Sequence, residues 1–223
     1  MTRPHAILFD LDGTLIDSLA DIASAANASL RDLAQPTHHT PDYRMMVGDG
    51  ADVLMRRALP ADQQHLADEG LALFKQHYAQ HVADETALYE GMDDTLDALT
   101  ERGFPMAIVT NKPQAAADQI AAKLLTRWTW VCTTGHCEGV PKKPDPTSAL
   151  AAAEAAGVAP GRCLFVGDSK TDMLTATAAG MVAVGVTWGF RDRAELVAHD
   201  AAHVIDHPQE LLTLLPDNAV PAR

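Results

Sequence analysis

The stretch Phe9-Asp10-Leu11-Asp12-Gly13-Thr14-Leu15 decides how the rest of the chain is interpreted. It continues Ala6-Ile7-Leu8-Phe9, a short apolar run that is typical of a strand buried on both faces in a parallel sheet. Asp10 and Asp12 then place two carboxylates at the carboxyl end of that strand, where ligands bind in open α/β sheets. Buried carboxylates repel each other, and a hard divalent cation such as Mg²⁺ would neutralise them.

Two plainer interpretations of this acidic stretch are a calcium-binding loop and an ordinary Asp-Gly turn. A calcium loop that begins at Asp10 requires Gly at its sixth position and Glu at its twelfth, but Leu15 and Asp21 stand there. An ordinary turn explains Asp12-Gly13 but not two acids directly after a buried strand. The stretch therefore favours a catalytic, metal-binding site.

Composition narrows the class of partner. The chain has 223 residues, enough for one large domain or for one domain with an insertion. Its 17 basic and 30 acidic residues give a net charge of -13, which argues against nucleic acid and anionic membranes as partners. An anionic substrate would therefore have to be attracted locally, by a metal or by a suitably placed lysine.

The cysteines and the N-terminus indicate the compartment. Cys132, Cys137 and Cys163 are an odd number without a Cys-x-x-Cys pair, which favours free thiols in a reducing compartment. His136 beside Cys137 fits no standard zinc spacing. We find no signal-peptide pattern, and no apolar run approaches the roughly 20 residues that span a bilayer. We expect a soluble, cytoplasmic protein.

Residues 17–89 differ from the rest of the chain because they show helical periodicity and no convincing strand. Ser18 can cap a helix that runs to Leu33. Apolar residues at spacings of three and four predict one face of a later helix: Leu71, Phe74, Tyr78 and Val82. A segment of this length is too long for a loop. We therefore predict a helical cap domain at 17–89, inserted into an α/β core made of residues 1–16 and 90–223.

Strands and helices alternate after residue 90. Three apolar runs predict strands: Met106–Val109, Cys163–Val166 and Met181–Val186. Weaker candidates lie at Trp128–Cys132 and Val204–Ile205, and Pro208 is expected to open a C-terminal helix. This alternation predicts the α/β class, with a doubly wound parallel sheet and right-handed crossovers.

Four groups of polar residues follow these strands and should meet at one edge of the sheet: Asp10 with Asp12, Thr110 with Asn111, Lys143, and Asp168 with Asp172. Taken singly they are weak signals, because Thr110 could cap a helix and Lys143 could be a solvated surface lysine. The two later acids could also cap a helix, a role that Ser169 could fill instead. Phosphoryl transfer needs a nucleophile, a metal, a positive clamp and a proton carrier. The order and spacing of the four groups together indicate that chemistry.

The motifs resemble those of the haloacid dehalogenase superfamily, and specifically its phosphoglycolate phosphatase-like group. They are Asp-x-Asp-Gly-Thr at 10–14, Lys-Pro-x-Pro at 143–146 and Gly-Asp-Ser-x-x-Asp at 167–172, and the resemblance covers essentially the whole chain. It implies that Asp10 is the nucleophile, which forms an aspartyl phosphate. Asp12 would be the general acid and then the general base, and would bind Mg²⁺ through its backbone carbonyl.

The resemblance also implies the other roles. Thr110 and the backbone of Asn111 would hold phosphate oxygens, and Lys143, which the Lys-Pro-x-Pro pattern selects over Lys142, would neutralise nucleophile and phosphate. The implied ligands of Mg²⁺ are three acids, with a fourth in support: Asp10, Asp12 and Asp168, supported by Asp172. The helical insertion would close over the substrate. Dehalogenases of the superfamily lack an acid at the position of Asp12, so its presence favours a phosphatase.

The expected substrate is a small phosphorylated metabolite of carbohydrate metabolism. Val47-Gly48-Asp49-Gly50 and Thr187-Trp188-Gly189-Phe190 resemble the phosphoglycolate phosphatase group, which favours 2-phosphoglycolate. A sugar phosphate, pyrophosphate, N-acetylmuramate 6-phosphate and a β-phosphoglucomutase-like reaction on a hexose phosphate remain open. The oligomeric state also remains open between a monomer and a homodimer.

Two alternatives come from outside the superfamily's enzymes. A receiver-type phospho-acceptor domain combines similar residues, but it lacks a large helical insertion after its first strand, and its acceptor lies on a later strand. A cap-bearing binding protein without turnover would not need the intact acids.

The cap is expected to choose the substrate, because none of the core motifs can recognise a carboxylate. The turn Gly48-Asp49-Gly50 can present backbone N–H groups, since glycine allows close approach. Arg44 and Arg57 flank this turn and could supply positive charge to a substrate carboxylate. The plainer alternative is that both arginines are solvated surface residues.

Overall fold

The computed structural model describes residues 4–219. Within them, six parallel strands form one sheet: β1 (Ala6–Phe9), β4 (Met106–Pro113), β5 (Thr133–His136), β6 (Cys163–Gly167), β7 (Val182–Val186) and β8 (His203–Ile205). A separate antiparallel ribbon joins β2 (Ile16–Asp17) to β3 (Ala87–Leu88). The sheet order is β5-β4-β1-β6-β7-β8, so the order reverses at β1. This confirms the predicted doubly wound α/β class, and it places a ligand-binding crevice at the carboxyl end of β1.

Helices connect the parallel strands. In the described part of the chain the α-helices are α1 (Leu19–Asp32), α2 (Ala51–Ala58), α3 (Ala67–Gln80), α4 (Met92–Glu101), α5 (Gln114–Leu124), α6 (Thr147–Ala155), α7 (Lys170–Ala179) and α8 (Arg193–Ala198). Shorter 3₁₀ helices lie at Thr40–Met45, Ala61–Leu66, Pro160–Arg162 and Pro208–Leu214. None of the helices within residues 4–219 combines the length and the apolarity that crossing a membrane requires.

The sheet buries apolar side chains on both faces, because successive residues of a strand point in opposite directions. Along β1, Ile7 and Phe9 join the apolar cluster that continues into the cap, whereas Ala6 and Leu8 join the cluster beneath α6 and α7. All four side chains are fully buried. This burial on both sides explains why β1 is apolar throughout and does not alternate with polar residues.

The segment between β2 and β3 contains α1, α2 and α3 with two of the 3₁₀ helices, and we refer to it as the cap. Of the predicted apolar face, Phe74, Tyr78 and Val82 are buried and Leu71 is half-buried, although Val82 lies after the end of α3. The chain enters and leaves this region through β2 and β3, which pair Ile16 with Leu88. The expectation of no strand within 17–89 was therefore wrong at both ends, at Asp17 and at Ala87–Leu88, because a strand of two residues carries no periodicity. The boundaries at residues 17 and 89 stay a prediction.

The strand predicted at Trp128–Cys132 is wrong in position, since β5 begins at Thr133. The apolar signal there comes from side chains that cover the sheet. Trp130 packs edge-on against Phe9 with ring centroids 6.2 Å apart, and the Nε1 of Trp128 donates to Asp97 at 2.8 Å. The short strand predicted at 204–205 is confirmed as β8, whereas Pro208 opens a 3₁₀ helix.

Candidate active site

Asp10 lies directly after β1, at the centre of the sheet edge. Its backbone N–H donates to the carbonyl of Val166 on β6 at 2.9 Å, which continues the strand pairing to the site. The Nζ of Lys143 lies 2.7 Å from Oδ1 of Asp10 and 2.7 Å from Oδ1 of Asp172. One buried ammonium thus bridges two buried carboxylates. Lys142, the neighbouring candidate, instead pairs with Asp52 of the cap.

Three buried acids form a cluster around this lysine. Carboxylate oxygens of Asp10, Asp168 and Asp172 all lie within 4.8 Å of one another. The backbone N–H of Phe190 donates to Oδ2 of Asp168 at 2.6 Å. The backbone N–H and the hydroxyl of Ser169 donate to Oδ2 of Asp172 at 3.1 and 2.7 Å. These donors fix both side chains in place.

Two glycines let the backbone approach the acids closely. Gly13 has a φ of +87°, and a Cβ there would lie 2.4 Å from Oδ2 of Asp168. A Cβ on Gly167 would lie 2.2 Å from the Cβ of Asp172. Any larger residue would displace a carboxylate of the cluster, so the glycine in each motif follows from the packing of the site.

The cluster carries more negative charge than its lysine can balance. Burial, together with the neighbouring charge of Asp172, raises the pKa of Asp10 to about 7, although the attraction of Lys143 opposes the rise. Burial and the neighbouring acids also raise the pKa of Asp168 well above its usual value. Although burial alone would lower the pKa of Lys143, the charges of Asp10 and Asp172 raise it, so this lysine stays protonated.

The donor set fits a hard divalent cation. The cluster offers carboxylate oxygens only, and three acids face one lysine. Such oxygen ligands suit Mg²⁺, and its charge would balance the excess. The cluster contains Asp10, Asp168 and the supporting Asp172 of the predicted set, whereas the carboxylate of Asp12 lies outside it. For Asp12 the predicted ligand atom is the backbone carbonyl.

Asp12 lies in a separate environment. The hydroxyl of Ser18 donates to its Oδ1 at 2.5 Å, and Nζ of Lys112 lies 2.8 and 3.0 Å from its two oxygens. Ser18 was expected to cap α1, but its side chain makes no such bond. Instead, the first turn of that helix uses Oδ1 of Asp17, which accepts from the N–H of Leu19 at 3.2 Å.

Thr110 and Asn111 lie near the carboxyl end of β4, beside Asp10. The hydroxyl oxygen of Thr110 accepts from the N–H of Lys112 at 3.2 Å, so its own hydrogen can be donated to a ligand. The side chain of Asn111 accepts from the N–H of Lys143 at 2.8 Å and donates to its carbonyl at 3.1 Å. It thereby joins β4 to the loop that carries the lysine.

The cap turn contacts the core at this edge. The amide of Asn111 also donates to the carbonyl of Gly48 at 3.1 Å, and the hydroxyl of Thr171 donates to Asp49 at 3.0 Å. Arg57 pairs with Asp49 at 2.5 Å, and Arg44 donates to the carbonyl of Gly189. Thus the turn lies against the site, with both arginines bound to protein groups.

A cavity of about 60 Å³ lies between cap and core. This is room for about four to six water molecules, since one needs roughly 10–15 Å³. The core contributes polar residues to its wall: Asp10, Asp12, Thr110, Asn111 and Lys112. The cap contributes mostly apolar ones: Ile22, Val47, Gly48, Gly50, Ala51, Leu54, Phe74 and Tyr78. Gly48 and Gly50 of the predicted specificity set therefore line the cavity, whereas Arg44, Asp49 and Arg57 do not.

Sequence reasoning missed three residues at the site: Ser18, Tyr78 and Lys112. Ser18 was assigned to helix capping and Tyr78 to the cap's apolar face, since each satisfies an ordinary structural pattern. Lys112 directly follows the predicted Thr110-Asn111 pair at the end of a strand. Its place directly after this pair was the one sequence feature that could have indicated Lys112 as a site residue.

The fold and the acid cluster define a buried carboxylate site at the switch point of a doubly wound sheet. Comparison with known proteins agrees. The family described as haloacid dehalogenase-like hydrolase matches residues 4–180. A phosphoglycolate phosphatase of Pseudomonas putida is 40% identical, over 99% of this chain and 82% of the relative. One from Colwellia psychrerythraea is 34% identical, over 96% and 98%.

A solved structure also supports this family. A haloacid dehalogenase-like family hydrolase from Streptococcus pneumoniae superposes with a TM-score of 0.86 at 27% identity, over 96% of this chain and 99% of that one. The chain therefore belongs to the haloacid dehalogenase-like hydrolase family. It is an enzyme, and its curated relatives place it among the phosphatases of that family. The receiver-domain alternative is thereby wrong.

Proposed function

We propose that the protein is a Mg²⁺-dependent phosphatase that hydrolyses 2-phosphoglycolate through an aspartyl phosphate on Asp10. The observation that carries this proposal is the unequal environment of two neighbouring carboxylates. Asp10 is paired with Lys143 inside the acid cluster, whereas Asp12 is held by Ser18 and Lys112 at the cavity wall. Two carboxylates in different surroundings can act as nucleophile and as proton carrier.

In the first half-reaction, a carboxylate oxygen of Asp10 attacks phosphorus. The bond from phosphorus to the leaving oxygen breaks with its electron pair, and Asp12, as the general acid, delivers a proton to that oxygen. Thr110 and the backbone of Asn111 hold the phosphoryl oxygens. Lys143 holds Asp10 in place and offsets the charge of the phosphoryl group.

In the second half-reaction, Asp12 acts as the base. It takes a proton from water, the water oxygen attacks phosphorus, and the bond between phosphorus and Asp10 breaks. This releases inorganic phosphate and restores both carboxylates to their starting states. Bound Mg²⁺ would be held by Asp10, Asp168 and the backbone carbonyl of Asp12, with Asp172 in support, and would supply positive charge that balances the acids and the phosphoryl oxygens.

The size and lining of the cavity support a short leaving group. Phosphate must occupy the core side, beside Asp10 and Thr110, so only the space against the cap is left. A two-carbon acid suits this space better than a hexose or an N-acetylmuramate, which bring many hydroxyl groups against apolar side chains. Pyrophosphate would place a multiply charged leaving group against the same apolar wall. The names of the curated relatives support phosphoglycolate independently.

The test is a kinetic comparison of 2-phosphoglycolate with glucose 6-phosphate, β-glucose 1-phosphate, pyrophosphate and N-acetylmuramate 6-phosphate. We expect the highest kcat/KM for 2-phosphoglycolate with Mg²⁺, and no turnover in excess EDTA until Mg²⁺ is restored. Acid quenching during turnover of ³²P-labelled substrate should trap label on the wild-type protein. Asp10→Asn should neither turn over nor trap label, because its amide is not a nucleophile.

The control for this variant is its thermal unfolding curve, which should remain cooperative. A clearly higher kcat/KM for another substrate would reject phosphoglycolate as the substrate. Full activity in EDTA, or normal turnover by Asp10→Asn, would reject the mechanism. The cytoplasmic location and the choice between monomer and homodimer stay predictions.

A further inference from the structure

The cap side of the cavity has one polar side chain. Of the cap residues within 4–219 that line the cavity, Tyr78 alone ends in a hydrogen-bonding group; Ile22, Leu54 and Phe74 provide apolar walls around it. A substrate group that reaches the cap must therefore meet either hydrocarbon or this hydroxyl.

The hydroxyl of Tyr78 lacks an acceptor. Tyr78 is 4% exposed, and its oxygen has no hydrogen-bond partner of normal geometry in the described part of the chain. Lys112 lies close, with its Nζ 4.6 Å from the centre of the ring. An ammonium group can only donate, so Lys112 cannot accept the phenolic hydrogen. A buried donor without an acceptor is costly, and an anionic ligand atom in the cavity would remove that cost.

The position of the ring is fixed by its neighbours. Tyr78 stacks on Phe74 with centroids 5.4 Å apart and planes 10° apart. Both residues lie on α3, one turn apart, so their stacking follows from helix geometry. The ring and its hydroxyl therefore hold a defined position before a ligand binds.

Lys112 supplies the charge at this place. Its side chain is 3% exposed, and it lies between Asp12 and the ring of Tyr78. The carboxylate of Asp12 balances its charge here, but three ammonium hydrogens allow a further acceptor. The two basic side chains of the predicted specificity set, Arg44 and Arg57, do not line the cavity. Lys112 is thus the one cation among the lining residues of the described chain.

We propose that Tyr78 and Lys112 form the subsite for an anionic oxygen on the leaving group, namely the carboxylate of a short phosphorylated 2-hydroxy acid. The hydroxyl of Tyr78 donates to a carboxylate oxygen, and Lys112 provides charge between that carboxylate and Asp12. The apolar residues contact the methylene carbon. This inference rests on the proposed function, because it assigns the part of the same cavity that the phosphoryl group does not fill.

The test uses Tyr78→Phe, which removes one oxygen atom and keeps the ring. We compare kcat/KM for 2-phosphoglycolate with that for ethyl phosphate, which has the same length and no carboxylate. Hydrogen bonds to charged groups account for about a ten- to hundredfold difference. The ratio of the two kcat/KM values should therefore fall about ten- to hundredfold in Tyr78→Phe.

Tyr43→Phe is the matched control. Tyr43 is a buried cap tyrosine whose hydroxyl donates to Asn27 at 2.7 Å, and it does not line the cavity. Its loss should lower stability without changing the ratio. A second measurement is binding: calorimetry should show that 3-phosphonopropionate binds wild type more tightly than propylphosphonate does. Tyr78→Phe should reduce that difference.

The outcomes separate the two proposals. If wild type prefers 2-phosphoglycolate and Tyr78→Phe keeps that preference in both measurements, the subsite is wrong and the proposed function stands. If wild type hydrolyses ethyl phosphate as well as 2-phosphoglycolate, both the proposed substrate and the subsite are wrong. Loss of the preference in Tyr43→Phe as well would also overturn the assignment, since the effect would then follow from general loosening of the cap.

Discussion

The core edge and the cap face meet at one cavity, but they are built differently. On the core side each charged group has a partner: Lys143 contacts two acids, and Ser18 and Lys112 hold Asp12. On the cap side the wall is apolar, and the hydroxyl of Tyr78 has no acceptor. The core is therefore preorganised for a reaction, whereas the cap is shaped to receive a leaving group.

This difference separates catalysis from selection. A change among the core residues that act on the phosphoryl group should affect every phosphomonoester, because every substrate presents the same phosphoryl group there. A change in the cap should alter the ratio between substrates and leave the chemistry in place. The following substitutions test that division, from the largest expected effect to the smallest.

Asp12→Asn should reduce activity more than the substitutions at Leu54, Arg44 and Arg57 do. The amide cannot carry the proton to the leaving oxygen, and such proton transfer contributes typically 10²–10⁴-fold. We expect a loss of that order in kcat for 2-phosphoglycolate and for ethyl phosphate alike. The loss should be smaller for p-nitrophenyl phosphate, whose leaving group needs little protonation. Steady-state kinetics on the three substrates measures this.

An equal loss on p-nitrophenyl phosphate would contradict the role of Asp12 as a proton carrier. Ser18→Ala is a useful companion variant, because it removes the 2.5 Å hydrogen bond to Asp12 and keeps the carboxylate. It should show the same dependence on leaving group with a smaller loss.

Leu54→Ala should change selection and leave the chemistry intact. Leu54 is buried at 3% exposure and lines the cavity, so the shorter side chain enlarges the space for the leaving group. We expect the ratio of kcat/KM for glycerol 3-phosphate to that for 2-phosphoglycolate to rise about tenfold, which is the usual scale for methylene-sized changes in a pocket. The free energy of unfolding should fall by about 2–5 kcal/mol.

Leu30→Ala separates the two effects. Leu30 is a fully buried cap residue outside the cavity wall, so its loss should destabilise the protein to a similar degree. A similar change of substrate ratio in Leu30→Ala would show that selectivity follows cap stability and not the shape of the cavity.

Arg44→Ala and Arg57→Ala should have the smallest effect. Arg57 pairs with Asp49 and donates to the carbonyl of Met46 at 3.0 Å, at a partly exposed site. Such pairs contribute at most about 1 kcal/mol, so we expect losses of a few fold that are shared by 2-phosphoglycolate and ethyl phosphate. A selective loss on 2-phosphoglycolate alone would instead support the prediction that an arginine recognises the carboxylate. Measuring kcat/KM for both substrates on both variants distinguishes a shared loss from a selective one.

Much of the core was accessible from sequence because its signals are local. A strand buried on both faces must be apolar throughout, and the residue after its end must face the ligand edge. The positions of Asp10 and Asp168 at that edge follow from this pattern alone. The strand at Trp128–Cys132 was misplaced, because aromatic residues that cover a sheet have the same composition as a strand within it.

The contacts between cap and core were less accessible because the groups that make them meet only through long-range packing. Ser18, Tyr78 and Lys112 are far apart in the chain, and each fits an ordinary role as cap, apolar stripe or surface lysine. Whether Arg44 or Arg57 faces the cavity depends on how the turn at 48–50 lies on the core. No periodicity encodes that arrangement.

The sequence by itself determined the doubly wound sheet, the helical insertion and the identity of the acids at the sheet edge, since strand burial and motif spacing are properties of the chain itself. Only the tertiary structure decided which lysine contacts which acid, and which cap residue meets the substrate. The physical reason is that a hydrogen bond or an ion pair forms between groups within about 3 Å, regardless of their separation in sequence. Lys112 and Asp12 are a hundred positions apart, yet their side chains meet at 2.8 Å.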